Sequence, residues 1–517
     1  MNKLKSQQGI GLIVFFLTVL AAGSVFFLST MDNSNTRISN ENKTSESLAR
    51  AKEALLSYAV NYYTSASNAG NLNLGFHGLL PCPELAGSAN EGVSAGNCSV
   101  THTNRLGRFP WRSLDLPPLK DASGECLWYA LSGGFFNAPR SKMVNADTPG
   151  MFQIFNEQGL PVKGATPEDR VVAVILAPGE PLSNQTRPPV IPNSNLPCEI
   201  AYNVVNAIDY LDADQGIDNA VVDSTNVDIV DQFIYNSSLS LNPSLNDRLI
   251  TITVDEIYNA IRMNNNLNRT RINLMTNTII GCLTNYANNS NTASSSIAPI
   301  TAFNLPWPAA LEIQGDYRVE ANYVDASAVA NTLGRFPFST PASYAATTSI
   351  NIFTDNTSCP LLFNNPLDPA FLKNEIRILW DNWKDHLFYI VHNDYLPGAS
   401  SVQNSNSCTG ANCLTMNGNS YAALLIFSDQ RLPNPPFNQL RQDPYVEAGT
   451  VSGNFKTEIT NYLEGTNATS STTFGDYSAL PLVNQLQVND HVYCMRITSA
   501  GLVPAYTINA QQLPVCN

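Results

Sequence analysis

The stretch "LGRFPW" (106–111) returns as "LGRFPF" (333–338). The reading of that echo decides the architecture, because its neighbours return in the same order. "LLPCPEL" (79–85) answers to "LPWPAAL" (305–311), and "CLWYALS" (126–132) to "HLFYIVH" (386–392). "VVAVILAPGEPL" (171–182) answers to "YAALLIFSDQRL" (421–432), "IDYLDADQ" (208–215) weakly to "TNYLEGTN" (460–467), and "NDRLITIT" (246–253) to "NDHVYCMRIT" (489–498). The offset starts near 225 residues and grows to about 260 at the third pair, so an insertion lies between Ser339 and Lys384. Self-similarity on this scale predicts two copies of one unit.

Each copy reads as a helix, an irregular Pro/Gly-rich region, then strands. "RVVAVILA" and "YAALLIF" are short apolar runs rich in β-branched residues and predict buried strands. "DRLITIT" and "VYCMRIT" alternate and predict sheet strands. The helix of the first copy is "SESLARAKEALLSYAVNYY" (45–63), where Leu48, Ala51, Leu55, Tyr58 and Tyr62 recur at three- and four-residue steps. Its counterpart is a helix over 254–289, with Ile272, Met275, Ile279, Leu283 and Tyr286 along one face. In "LGRFP", Gly107 and Gly334 permit a turn and Pro110 and Pro337 set the exit. Arg108 and Arg335 read as structural ion-pair or carbonyl partners.

The chain opens differently. In "KSQQGIGLIVFFLTVLAAGS" (5–24) a basic leader ends in Gly9, and Ile10–Leu28 carries no charge. As a helix those residues would extend roughly 28 Å, close to the apolar thickness of a bilayer. Lys3 and Lys5 keep the leader on the cytoplasmic side. Three readings stand: an export signal cut between Gly23 and Ser24, an uncleaved anchor, or a leader cut directly after Gly9.

A short basic leader ending in glycine, followed at once by an apolar helix, resembles a type IV prepilin or pseudopilin. The resemblance implies that a prepilin peptidase cuts between Gly9 and Ile10 and methylates the new N-terminus at Ile10. It implies other pilins or pseudopilins as partners, at the bacterial inner membrane with a periplasmic head, or at the cell surface once a filament forms. Most members carry glutamate at the fifth mature position, where this chain has Val14. Without the charge pair that glutamate makes with a neighbouring amine, the chain is similar to the large minor pseudopilin at the tip of type II secretion pseudopili. The pilin head is a helix laid on an antiparallel sheet. The expectation is therefore α+β: a leader (1–9), an N-terminal helix (10–64, membrane-spanning over 10–28), and two tandem pilin-like units of helix plus antiparallel sheet (65–253 and 254–517).

Composition agrees with an extracytoplasmic protein. Of 517 residues, 14% are charged, below the roughly 25% of ordinary soluble domains, and Asn, Ser and Thr carry the polarity. A net charge of −14 excludes a basic nucleic-acid-binding surface. Ten cysteines behind an export-type N-terminus favour disulfides. Nearness in sequence singles out Cys82–Cys98, Cys408–Cys413 and Cys494–Cys516.

Clustered carboxylates suit calcium. In "YLDADQGID", Asp212 and Asp214 have the first two spacings of an EF-hand loop and Asp218 follows, but the glycine comes one place early and the closing glutamate is absent. The competing reading is a solvated acidic loop. Trp380 and Trp383 are the candidates for an exposed aromatic contact. The chain has no GxSxG, Walker loop, GxGxxG or metal-spaced histidine pair. The function expected is structural: a minor pilin-like subunit, not an enzyme, without a cofactor other than calcium. An anchored or secreted adhesin that binds carbohydrate is the alternative, and a secreted hydrolase ranks third.

Overall fold

The computed structural model describes residues within 38–61, 78–136, 144–188, 198–288, 305–351, 376–441 and 455–517. Two sheets and three helices make its frame. The first sheet holds β1 (Arg105–Arg108), β2 (Trp128–Leu131), β3 (Phe152–Asn156), β4 (Pro161–Lys163) and β5 (Val171–Ala177). A hairpin, β6 (Ala213–Asp214) and β7 (Ile217–Asp218), precedes β8 (Asp231–Tyr235), which joins β3, and β9 (Arg248–Thr253), which joins β5. In the second half come β10 (Leu333–Arg335), a small pair β11 (Ser339–Pro341) and β12 (Ser349–Asn351), and β13 (Leu387–Val391). β14 (Leu414–Met416), β15 (Asn419–Tyr421), β16 (Ala423–Ser428), β17 (Thr473–Phe474) and β18 (Asp490–Thr498) follow. The chain closes with β19 (Gly501–Pro504), β20 (Tyr506–Ile508) and β21 (Pro514–Cys516).

The second sheet has the order β10-β13-β16-β18-β19, antiparallel throughout. Its first four strands repeat the antiparallel path β1-β2-β5-β9 of the first sheet. Register repeats too: Arg108 pairs with Trp128, and Arg335 with Phe388. Glu84 bridges Arg108 by two backbone hydrogen bonds of 3.0 and 3.1 Å, and Ala309 bridges Arg335 by two of 2.9 and 3.0 Å. Here the signpost glycines have their use. A Cβ on Gly107 would lie 2.2 Å from the Glu84 carbonyl oxygen, and one on Gly334 1.8 Å from that of Ala309. Only glycine lets this crossing strand come so near.

Strand alternation splits the core. In β13, Leu387, Tyr389 and Val391 face one apolar cluster, while Phe388 and Ile390 face another. In β5, Ala173, Ile175 and Ala177 share the first cluster, and Val174 and Leu176 turn to a third. That first cluster also takes the inner faces of all three helices: α1 (38–61), α2 (Val254–Met263) and α3 (Leu267–Asn288). The two sheets therefore share one core.

Several expectations are corrected. The fold is α+β, mostly sheet with few helices. Among the described residues no helix is long and apolar enough to cross a membrane, and the segment expected to span one, 10–28, lies outside them. The expected architecture of a membrane-spanning helix followed by two tandem pilin-like units is corrected to two sheets packed on one shared core. The described α1 is amphipathic. Leu48, Ala51, Leu55 and Ala59 are buried, whereas Lys43, Glu46, Arg50, Lys52 and Glu53 interrupt any apolar run. It is already helical from 38, ahead of the amphipathic stretch 45–63, because tertiary contacts override local propensity. Thr44 Oγ1 accepts the Ala122 N–H at 3.1 Å, Ser47 Oγ donates to the Lys120 carbonyl at 2.7 Å, and Glu41 pairs with Arg248 at 3.1 Å. The first sheet is mixed, since β3 and β8 run parallel. The single helix expected over 254–289 is two, α2 and α3. Gly9, Ile10, Val14, Cys408 and Cys413 lie outside the described residues.

Candidate functional site

Around each signpost arginine the two halves build the same polar frame. Arg335 is fully buried, donates to the Lys456 carbonyl at 2.7 Å, and has its guanidinium carbon 4.4 Å from both the Phe388 and Tyr462 ring centres. Arg108 stands 5.8 Å over Tyr210, the counterpart of Tyr462. A second arginine approaches each of these tyrosines from "NQTR" (184–187) or "NQLR" (438–441). Arg187 lies 5.0 Å from the Tyr210 ring and Arg441 4.6 Å from that of Tyr462. Each also holds the preceding glutamine, Arg187 on Gln185 at 3.1 Å and Arg441 on Gln439 at 3.2 Å. Sequence comparison missed this echo because four extra residues precede the second copy.

Next to each tyrosine, two acids clasp each other's backbone. Asp212 Oδ2 accepts the N–H groups of Asn246 and Asp247 at 2.6 and 2.9 Å, and Asp247 Oδ2 accepts the Asp212 N–H at 2.9 Å. Glu464 Oε2 accepts the Asp490 N–H at 3.1 Å, and Asp490 Oδ2 accepts the Glu464 N–H at 2.9 Å. Burial, reinforced by the facing acid, pushes the Asp247 and Asp490 carboxyls well up. Asp212 Oδ1 is taken by Gln185 at 2.8 Å. Asp214 and Asp218 each accept a nearby backbone N–H at 2.9 Å, and they fall on opposite faces of the β6–β7 hairpin. The structure thus spends Asp212 on the distant 246–247 backbone and Gln185, and Asp214 and Asp218 on nearby backbone, and does not converge the three.

The halves differ at one position. Cys126 and His386 are equivalent, each two residues ahead of the partner of the signpost arginine. In the first half Cys126 is bonded to Cys198, and Glu125 pairs with Arg187 at 2.9 Å. In the second, the loop 144–149 of the first half fills the place. Asp147 Oδ2 lies 3.0 Å from His386 Nε2, and Asp147 Oδ1 lies 3.6 Å from Arg441. Asn145 donates to the Asn382 carbonyl at 2.9 Å and to Asp385 Oδ1 at 2.8 Å, and Asn382 Oδ1 accepts the Val144 N–H at 3.0 Å. Asp385 Oδ2 contacts Lys456 Nζ directly. The side chains of Asp147, Asp385, His386, Arg441 and Lys456 are all wholly buried.

The charges sort themselves by neighbour. Burial raises the Asp147 carboxyl, but His386 and Arg441 outweigh it and hold that carboxyl well below the usual range. Asp385 is lowered despite burial, chiefly by Lys456. Lys456 is raised despite burial, chiefly by Asp385.

Asp147, Asp385 and His386 also bring three metal-ligating atoms within 4.8 Å of one another. The Nδ1 of His386 is 2.7 Å from the Ser428 carbonyl and Nε2 is 3.0 Å from Asp147 Oδ2, so both ring nitrogens face oxygen acceptors. Each carboxylate, however, already has a cation against it: Arg441 on Asp147 and Lys456 on Asp385. A divalent ion would sit among two fixed positive charges, so the donor set fits an ion-pair lock between the halves and not a metal centre. A cavity of about 10 Å³ beside Asp147 and Arg441 has room for about one water molecule.

Trp380 and Trp383, expected at an exposed contact, are core residues. Trp380 stacks on Phe338 at 5.3 Å, and Trp383 meets Tyr258 and Phe427 edge-on at 5.8 and 5.4 Å. Cys82 is bonded to Cys98 and Cys494 to Cys516. Cys126–Cys198 and a disulfide of Cys282 carry no local sequence signal. No protein-family model matches this chain, no curated protein is similar to it in sequence, and no solved structure matches its fold.

Proposed function

We propose that this protein is a minor pilin-like or pseudopilin-like structural subunit of a type IV pilus or type II secretion pseudopilus. A prepilin peptidase processes it after Gly9, and it works beside other pilins at the inner membrane, at the filament tip or sparsely along the filament. The observation that carries the reading is the leader "KSQQG" breaking directly into the apolar run from Ile10. Two further features support it. Ile38, at the start of α1, is exposed while the later turns bury Leu48, Ala51 and Leu55, so α1 gives its apolar face to the head core only from Leu48 onward. Asn382, Asp385, His386 and Arg441, buried polar residues of the second half, contact Val144, Asn145 and Asp147 of the first and hold the halves together, which suits a subunit whose task is shape. Val14 removes the usual partner of a neighbouring amine, and a head of this bulk fits a tip or sparse position better than every step of a tightly wound filament.

The test is the mass of the N-terminal peptide from membranes with and without active prepilin peptidase. A peptide that begins at a methylated Ile10 only when the peptidase works supports the proposal. One that begins at Met1 or Ser24 removes it.

A further inference from the structure

The buried cluster contains an amine and a carboxyl group arranged for more than an ion pair. Lys456 Nζ touches Asp385 Oδ2, and neither side chain is reached by solvent. The rings of Tyr317 and Tyr462 lie 5.6 and 5.8 Å from Nζ and wall it off. The second oxygen of Asp385 already receives the Asn145 amide N–H at 2.8 Å. A second carboxylate, Asp147, stands within the same 4.8 Å group, its Oδ2 3.0 Å from His386 Nε2 and its Oδ1 3.6 Å from Arg441.

We propose that Lys456 and Asp385 condense into an intramolecular amide bond that ties the chain just ahead of β13 to the turn at 455–457. The resting pair is ammonium and carboxylate. Transfer of one proton from Nζ to Oδ2 gives the amine and the acid without changing the charge of the cluster. Nζ then attacks Cγ, and negative charge gathers on Oδ1, where the Asn145 N–H is already placed. Asp147 takes a proton from Nζ and returns it to Oδ2, while His386 and Arg441 hold Asp147 in position. The Nζ–Cγ bond forms, the Cγ–Oδ2 bond breaks, and two of the three ammonium protons leave with Oδ2 as water. Nothing is oxidised or reduced, and no co-reactant is needed. Contact between the reacting groups in a fixed, dry site supplies the effective concentration that the same condensation lacks in water. Because Asn145 and Asp147 come from the first half, the bond forms only after the halves have docked.

Peptide mass mapping of the full chain, reduced and alkylated, reads this directly. The expected result is a branched peptide carrying both Lys456 and Asp385, lighter by one water than its two linear parts, with trypsin failing to cut after Lys456. Lys456→Arg keeps the cation and the packing but removes the nucleophile, and it should give only linear peptides in a protein with an unchanged circular dichroism spectrum. Asp147→Asn should leave most molecules linear. Two linear peptides from the wild-type chain, or a branched peptide at Asp385 in Lys456→Arg, overturn the proposal. The readout is independent of how the N-terminus is processed.

Discussion

Asp147 lies 3.0 Å from His386 Nε2, across the boundary between the two halves, at the position where the first half closes on itself through Cys126 and Cys198. A cross-link within one half has an ion pair between halves as its counterpart. Removing one member of a buried pair leaves the other uncompensated and costs about 3–5 kcal/mol. Asp147→Ala should therefore lower the denaturant midpoint sharply. Combined with His386→Ala, it should cost clearly less than the sum of the single changes. Additive effects in that cycle would show that the two residues do not interact.

The signpost glycines make a second prediction. Gly334→Ala and Gly107→Ala should each destabilise by several kcal/mol, since the new methyl group meets a backbone carbonyl that cannot yield. Gly134→Ala, with its nearest neighbour 3.7 Å from the added carbon, is the control and should be nearly neutral. Urea unfolding of the three variants decides it.

How far these features were legible in the sequence follows from where their partners lie. The echo at Gly107 and Gly334 was readable because the signal is local and occurs twice, but the glycines read there as turn formers lie inside β1 and β10, where they admit a crossing segment. The run "KDH" (384–386) is wholly polar in the sequence, yet all three residues are buried. Lys384 pairs with Asp381 at 2.7 Å, but the partners of Asp385 and His386 are Lys456, far along the chain, and Asn145 and Asp147 in the other half. No periodicity encodes such pairings. Trp380 and Trp383 were misjudged for the same reason: the surfaces that cover them, Phe338, Tyr258 and Phe427, come from separate elements. The parallel pairing of β3 with β8 was hidden because 74 residues lie between Asn156 and Asp231.

Glu84 gives a pH prediction. Its Oε2 accepts the Gly92 N–H at 2.9 Å, but burial outweighs this and raises the carboxyl from 4.5 to about 7. The folded chain therefore keeps a proton that the unfolded chain has released. Stability from this group is full below about pH 4.5 and is lost as pH rises through 7. Glu84→Gln should flatten that slope, gaining most over wild type at pH 8. Guanidinium midpoints at pH 5 and pH 8 check it.

His491 acts in the opposite sense. Burial lowers its imidazole to about 4, so the unfolded chain binds a proton that the folded one refuses. Its contribution is full above the ordinary value of 6.5 and fades as pH falls toward 4. His491→Gln should remove that acid-side loss, measured as thermal midpoints at pH 7 and pH 4.5.

The seat that receives Asp147 has a consequence for growth. One copy of a repeated unit inserting a loop into the next is a head-to-tail contact, and such contacts, when every copy can give and receive, propagate without end into fibres. Here the receiving position of the first half is already stoppered by the Cys126–Cys198 cross-link. A second molecule offering its own 144–149 loop finds no vacancy there, so the pairing ends after a single step.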